Sequence, residues 1–233
     1  MNKLTQPTFE IFSVNLSDEC VTFESLRHPN IVTYIGACTK EESKLCVLQE
    51  LCSQGSLSSY LFNKNLGESL SRRLEITIGI ALGMEYLHSF VPPLLHRDLC
   101  PEHILIDEFG TPKIANFSLS RLKADKMTIR VGSARYMAPE VILSETYTEK
   151  ADVYSFGVIL WEVITKQKPF EYLADNQIIL EVGAKRRTLK IPEDCHRAIG
   201  RLIQRCTDHE PTLRPIFKEI IFELRDFLKK IHP

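Results

Sequence analysis

The sequence predicts an α+β fold in which a small strand-rich N-terminal part leads into a larger helical part. Residues 31–38 and 45–51 are short apolar runs rich in β-branched side chains, and the polar stretch between them predicts a hairpin. Residues 69–89 carry apolar side chains on nearly every face of a helix, which predicts a buried helix. From residue 55 onwards the pattern is helical.

The remaining helices follow from the spacing of apolar residues. A second buried helix is predicted over 152–165, and amphipathic helices are predicted around 176–184, 194–207 and 215–230. Apolar residues at helical spacing between 16 and 26 predict one more helix before the hairpin. No repeat or low-complexity stretch separates these elements into independent domains.

Composition limits the classes of partner and compartment. The 233 residues have a formal net charge of −1, so no overall field draws the chain to nucleic acid or to an acidic membrane. The seven cysteines are scattered without C-x-x-C spacing, which argues against a disulfide framework or a zinc site and suits a reducing compartment. The sequence has no uncharged stretch of about 18 residues that could span a bilayer. We therefore expect a cytoplasmic or nuclear chain that binds neither nucleic acid nor a membrane.

Three motifs occur in a fixed order between the strand-rich and helical parts. They are HRDLCPEHILID at 96–107, KIANFSLSR at 113–121 and GSARYMAPE at 132–140. Their order and spacing resemble the protein-kinase signature set, which consists of an H-R-D catalytic loop, a D-F-G metal motif and an A-P-E sequence. Within the kinases, PPLLHRDL and GSARYMAPE resemble the serine/threonine-directed tyrosine-kinase-like group.

The resemblance covers roughly residues 3–230 and implies a bilobal kinase domain. It implies a truncated, β-rich N-lobe over residues 1–52 and a mainly helical C-lobe over residues 53–233. The family places its glycine-rich nucleotide loop upstream of the helix that begins near Leu16, and we expect the chain to lack room for this loop. Without it, the phosphates of ATP would lose a lid of backbone N–H donors.

The resemblance also implies roles for the residues of the catalytic loop. His96, Arg97 and Asp98 occupy the H-R-D positions, and Asp98 corresponds to the catalytic base. Cys100 stands where such enzymes usually carry a lysine.

Both magnesium positions of the family are altered. His103 replaces the asparagine of the catalytic loop, and Asn116 replaces the aspartate of D-F-G. Mg²⁺ prefers carboxylate and oxygen ligands, so we expect binding of Mg²⁺ and ATP to be weak or absent. An imidazole could instead bind a transition metal, but we expect no Cys or His partner near His103 and favour a tolerated loop side chain.

Further positions correspond to the nucleotide site, the scaffold and the activation segment. The ATP-site equivalents are Lys3, Glu19, Glu50, Cys52 and Leu105. The implied structural residues are an apolar column of Phe23, Tyr34, His96 and Phe117, a buried ion pair of Glu140 with Arg214, and Asp152, which would receive backbone N–H groups of the H-R-D turn. Thr128 and Ser133 are candidate regulatory phosphorylation sites, because arginines lie close to them in sequence; the alternative is that they are ordinary loop hydroxyls.

These observations favour a pseudokinase that acts as an interaction or regulatory module in signalling. Its partner would be another protein, such as an active kinase. Two alternatives stay open at this point. The first is an active serine/threonine kinase that uses ATP with an unusual metal site, and the second is an incomplete product of a longer kinase gene.

Overall fold

The computed structural model describes residues 26–38, 46–63, 69–116, 134–143, 146 and 148–231. In chain order these residues form strands β1 (Tyr34–Cys38) and β2 (Cys46–Gln49), helices α1 (Leu57–Phe62) and α2 (Leu70–His88), strands β3 (Ile104–Ile106) and β4 (Pro112–Ile114), and helices α3 (Pro139–Ile142), α4 (Lys150–Thr165), α5 (Asp175–Ile178), α6 (Arg197–Cys206) and α7 (Phe217–Ile231). The predicted α+β class, with a small sheet followed by a mainly helical part, is confirmed.

Two antiparallel hairpins form the sheets. Strands β1 and β2 form the hairpin that the two apolar runs predict, with Ala37 opposite Val47. Strands β3 and β4 pair with Leu105 opposite Lys113. This second hairpin was not predicted from the sequence, because three-residue strands are too short to show an alternating pattern.

Helix α2 is buried in the core of the helical part. Ser69 caps it by accepting a hydrogen bond from the backbone N–H of Arg72 at 3.2 Å. Its interior side chains, including Ile76, Ile80 and Met84, have no solvent exposure. The helix packs against α4 and α7, so the prediction of a buried helix over 69–89 is confirmed.

Two glycines of α2 let the segment around Asn30 and strand β4 approach the helix closely. A Cβ atom at Gly79 would lie 2.6 Å from Cγ of Pro112, and one at Gly83 would lie 2.8 Å from the carbonyl oxygen of Asn30. Asn30 in turn accepts a hydrogen bond from the backbone N–H of Ile114 at 2.9 Å. This contact fixes the end of β4 relative to α2.

The C-terminal helices differ from prediction in one place. Helices α4, α6 and α7 match the predicted ranges, but the single helix expected over 176–184 is instead the short α5 followed by a π-helix over Ile179–Ala184. The helix predicted between residues 16 and 26 falls almost entirely outside the described residues. Among the described helices, none has the length and apolarity needed to cross a membrane.

Candidate functional site

The turn that carries His96, Arg97 and Asp98 is held by a buried carboxylate in the first turn of α4. Asp152 accepts the backbone N–H groups of His96 and Arg97, each at 2.9 Å, and it contacts Nε2 of His88 at 2.9 Å. Burial opposes ionisation of Asp152, but the hydrogen bond with His88 and the neighbouring histidines outweigh it and lower the pKa of this carboxyl. The turn is therefore tied to both α2 and α4.

The ring of His96 connects this turn to the end of β4. It is fully buried, and its Nε2 donates to the backbone carbonyl of Ala115 at 2.9 Å. Nδ1 is then the acceptor for the backbone N–H of Asp98 at 3.3 Å. Burial lowers the pKa of His96, in keeping with a ring that uses one nitrogen to donate and one to accept.

The carboxylate and the backbone of Asp98 both face His103. The Nδ1 atom of His103 donates to the carbonyl oxygen of Asp98 at 2.7 Å, and it lies 3.4 Å from Oδ2 of the same residue. Asp98 is buried, whereas the side chain of His103 is 21% exposed. The residue at the base position therefore has an imidazole as a close neighbour.

The two altered magnesium positions contact each other directly. Because Nδ1 of His103 carries the hydrogen, its Nε2 has a free lone pair, which accepts from Nδ2 of Asn116 at 2.7 Å. Asn116 has a φ of 57°, in the left-handed region that asparagine tolerates better than most residues. A residue pair 13 positions apart thus forms one closed contact.

This pair does not fit the Mg²⁺ ions that the resemblance implies. Mg²⁺ requires octahedral oxygen coordination at about 2.0–2.1 Å and is held in kinases by a carboxylate and an amide oxygen. Here the nitrogen of the Asn116 amide faces the ring nitrogen of His103, and neither side chain offers a carboxylate. The donor set suits a hydrogen bond between the two residues rather than a hard divalent ion.

Cys100 completes the surroundings of His103. Its sulfur lies 3.2 Å from Nδ1 of His103, so the expectation that His103 lacks a Cys or His partner is wrong. Cys100 precedes the 3-10 turn Pro101–His103 and His103 ends it, and in such a turn side chains three positions apart eclipse. The i, i+3 spacing was therefore the sequence signal for this contact. Burial raises the pKa of the Cys100 thiol.

Two of the predicted nucleotide-site residues, Cys52 and Leu105, lie together next to the segment that carries Asn116. Cys52 and Leu105 form a small apolar cluster with Val32 and Ala115, separate from the main helical core. Ala115 immediately precedes Asn116, so this cluster adjoins the altered metal positions. A contribution of Cys52 and Leu105 to nucleotide binding stays a prediction.

Glu50 makes polar contacts with the adjacent strands. Its Oε1 accepts from the backbone N–H of Thr33 at 2.7 Å and from Nζ of Lys113 at 3.0 Å. Lys113 lies in β4, and the sequence analysis did not single it out. The carboxylate of Glu50 therefore links the region of the first hairpin to the second hairpin.

The large helical part contains a buried ion pair between Glu140 and Arg214. Two nitrogens of the guanidinium contact the two carboxylate oxygens at 2.6 and 2.8 Å. Arg214 also donates to the backbone carbonyls of Lys150 and Asp208 at 2.8 and 2.7 Å. None of these four hydrogen bonds involves Asp98, His103 or Asn116, so the network supports the fold rather than the chemistry.

Six of the residues predicted from the sequence lie outside the described part of the chain. Tyr34 begins β1 and His96 is placed as above, but the other two members of the predicted apolar column fall outside the described residues. The same holds for four further predicted residues with nucleotide-binding or regulatory roles. The residues outside are Lys3, Glu19, Phe23, Phe117, Thr128 and Ser133.

Comparison with known proteins agrees with the kinase resemblance of the sequence motifs. The family model described as protein tyrosine and serine/threonine kinase matches residues 3–224. Serine/threonine-protein kinase CTR1 of Arabidopsis thaliana is 40% identical over 220 residues, which cover 92% of this chain and 27% of that protein. Serine/threonine-protein kinase STY46 of the same plant is 37% identical over 217 residues, covering 92% of this chain and 37% of that protein.

A viral relative shows the same pattern. The putative serine/threonine-protein kinase/receptor R831 of Acanthamoeba polyphaga mimivirus is 39% identical over 207 residues, which cover 88% of this chain and 13% of that protein. The chain thus spans less than half the length of each of these three relatives. The motifs, the fold and the family match agree, and the chain belongs to the protein tyrosine and serine/threonine kinase family, in which it resembles the tyrosine-kinase-like group.

Proposed function

We propose that this chain is a kinase-fold signalling module with impaired phosphoryl transfer. The observation that carries the proposal is the hydrogen bond between His103 and Asn116 at 2.7 Å. Kinases of this family generally use ATP and Mg²⁺, and the metal ions neutralise charge on the transferred phosphoryl group. With both metal positions satisfied by each other, that electrostatic stabilisation would be lost.

The preserved scaffold supports a folded module that could contact a partner. The anchoring of the H-R-D turn by Asp152 and the ion pair of Glu140 with Arg214 are both intact. A chain that keeps these supports while its metal ligands are replaced retains a defined surface. We propose that this surface acts through contacts with another protein, such as an active kinase.

A second candidate is an active serine/threonine kinase with a non-standard metal site. Asp98 favours it, because the residue at the base position is present and its backbone N–H is hydrogen-bonded to the buried ring of His96. The similarity to CTR1 and STY46, both named serine/threonine-protein kinases, favours it as well. The metal donor set argues against it.

The experiment that separates the two candidates is transfer of radiolabelled phosphate from Mg²⁺-ATP to a generic protein substrate. The wild type is compared with Asp98→Asn, which removes the base but keeps the size of the side chain. We expect equal counts from the two proteins, because any signal would come from contaminating kinase. Turnover by the wild type that Asp98→Asn abolishes would establish the second candidate.

A further inference from the structure

Three different metal-binding side chains converge on one point of the catalytic loop. The potential ligand atoms of Asp98, Cys100 and His103 all lie within 4.8 Å of one another. They come from a single stretch of six residues, and the 3-10 turn between Cys100 and His103 brings the last two together. Within the described part of the chain, no other group of three such residues converges in this way.

Two of the three distances among these atoms are close to the edges of a tetrahedral metal site. With Zn–S near 2.3 Å and Zn–N and Zn–O near 2.0–2.2 Å, ligand atoms of a tetrahedral zinc site are separated by about 3.3–3.6 Å. The sulfur of Cys100 lies 3.2 Å from Nδ1 of His103, and Oδ2 of Asp98 lies 3.4 Å from the same nitrogen. The third pair, the sulfur of Cys100 and the carboxylate of Asp98, lies within 4.8 Å.

The chemistry of the donors selects the class of ion. A thiolate with an imidazole and a carboxylate suits zinc and similar transition metals, whereas Mg²⁺ prefers oxygen ligands alone. Three protein ligands would leave a fourth position for water or another ligand, as in open zinc sites. We propose that Asp98, Cys100 and His103 bind a divalent transition-metal ion of the zinc class.

Asn116 is suited to support His103 in both the free and the metal-bound form. In the free form, Nδ2 of Asn116 donates to Nε2 of His103. An ion on Nδ1 would replace the hydrogen bond from Nδ1 to the carbonyl of Asp98. The neutral ring would then carry its hydrogen on Nε2 instead of Nδ1. Rotation of the Asn116 amide by half a turn would then offer Oδ1 as its acceptor, which is the usual outer-shell partner of a metal-bound histidine.

Such an ion would engage the carboxylate that the family uses as its base. Metal binding here would therefore block the base instead of assisting phosphoryl transfer. The proposal does not depend on whether the chain is an active kinase, because the ligand set is the same in either case.

The test uses the full chain, stripped of metal and kept reduced, with Co²⁺ as a spectroscopic probe. Cobalt bound to a thiolate gives a sulfur-to-cobalt charge-transfer band, and Zn²⁺ should displace it because sites of this kind bind zinc more tightly. We expect saturation at one equivalent, displacement by Zn²⁺, and no displacement by excess Mg²⁺. Absence of the band in the wild type would overturn the proposal.

Variants identify the ligands. Cys100→Ser and Cys100→Ala are both made, because one of them could fold poorly, and each should lose the band, while Cys195→Ser should keep it because Cys195 lies in a different part of the fold. Asn116→Gly removes the outer-shell partner at a position with positive φ, and cobalt affinity should fall about 10–100-fold. A band that persists in the folded Cys100 variants would place the metal elsewhere and overturn the assignment.

Discussion

Nε2 of His103 and Nδ2 of Asn116 lie 2.7 Å apart, and this hydrogen bond joins the catalytic loop to the second residue after strand β4. The other side of the imidazole contacts the carbonyl oxygen of Asp98 at 2.7 Å. Both polar ends of one ring are thus satisfied within the protein. The two segments are therefore joined by a direct hydrogen bond.

A double-mutant cycle measures the energy of this contact. His103→Ala and Asn116→Gly each remove the bond, and glycine is chosen because position 116 has a φ of 57°. Since the bond can be lost only once, the double variant should be more stable than the sum of the single losses implies. We expect a coupling of about 0.5–1.5 kcal/mol in urea unfolding.

The control for this cycle pairs His103→Ala with Gly36→Ala. A Cβ atom at Gly36 would have no neighbouring atom within 4 Å, and the residue lies in a different sheet. These two changes should be additive. Additivity in the His103 and Asn116 cycle as well would mean that the bond contributes nothing to folding.

The ion pair of Glu140 with Arg214 should dominate the stability of the helical part. Arg214→Ala leaves the carboxylate of Glu140 buried without its partner, and we expect a loss of roughly 3–5 kcal/mol. Arg205→Ala is the matched control, because its pair with Glu223 is 46% and 38% exposed, and it should lose less than about 1 kcal/mol. Denaturant midpoints decide the comparison, and equal losses would contradict the structural role of Arg214.

The contribution of Asp152 to the stability of the fold should depend on pH. Asp152→Asn places an amide N–H group against the backbone N–H of His96 or Arg97, and we expect a loss of about 1.5–3 kcal/mol at pH 7. Because the folded protein holds the pKa of Asp152 below its ordinary value of 3.8, the stabilisation is complete above pH 3.8 and is lost as the pH falls through the folded pKa.

Urea unfolding of the wild type and of Asp152→Asn across a range of pH tests this dependence. The difference in free energy of unfolding should shrink as the pH falls below about 3.8, where the carboxylate of Asp152 becomes protonated. A difference that does not shrink below pH 3.8 would show that the folded protein does not stabilise the ionised form of this carboxylate.

The sequence predicted the elements whose signals are local and long. The apolar pattern predicted α2 and α4, and the motifs pointed to Asp152, Glu140 and Arg214 before any contact was known. The second hairpin was missed because β3 and β4 have only three residues each. The helix predicted over 176–184 is in part a π-helix. The apolar spacing could not reveal this, because over so few residues it does not distinguish i, i+4 from i, i+5 hydrogen bonds.

The candidate site was predicted as a set of residues but not as a set of contacts. The substitutions at His103 and Asn116 were evident from the motifs, whereas their mutual hydrogen bond depends on how β4 is placed against the catalytic loop. That placement relies in part on Gly83, which allows Asn30 to approach α2. A glycine inside a helix gives no indication of which neighbour requires it.

The measurement that tests the central claim most directly is thermal unfolding with and without Mg²⁺-ATP. The wild type is compared with His103→Asn/Asn116→Asp, which restores the donor types that the family uses for Mg²⁺. A ligand present at 100 times its dissociation constant stabilises the folded state by about 2.7 kcal/mol. We predict little or no Mg²⁺-dependent shift for the wild type and a larger one for the double variant, each relative to its own ligand-free melting temperature. The account would be contradicted if Mg²⁺-ATP stabilised the wild type by about 2.7 kcal/mol, in a Mg²⁺-dependent way, and by no less than it stabilised the double variant.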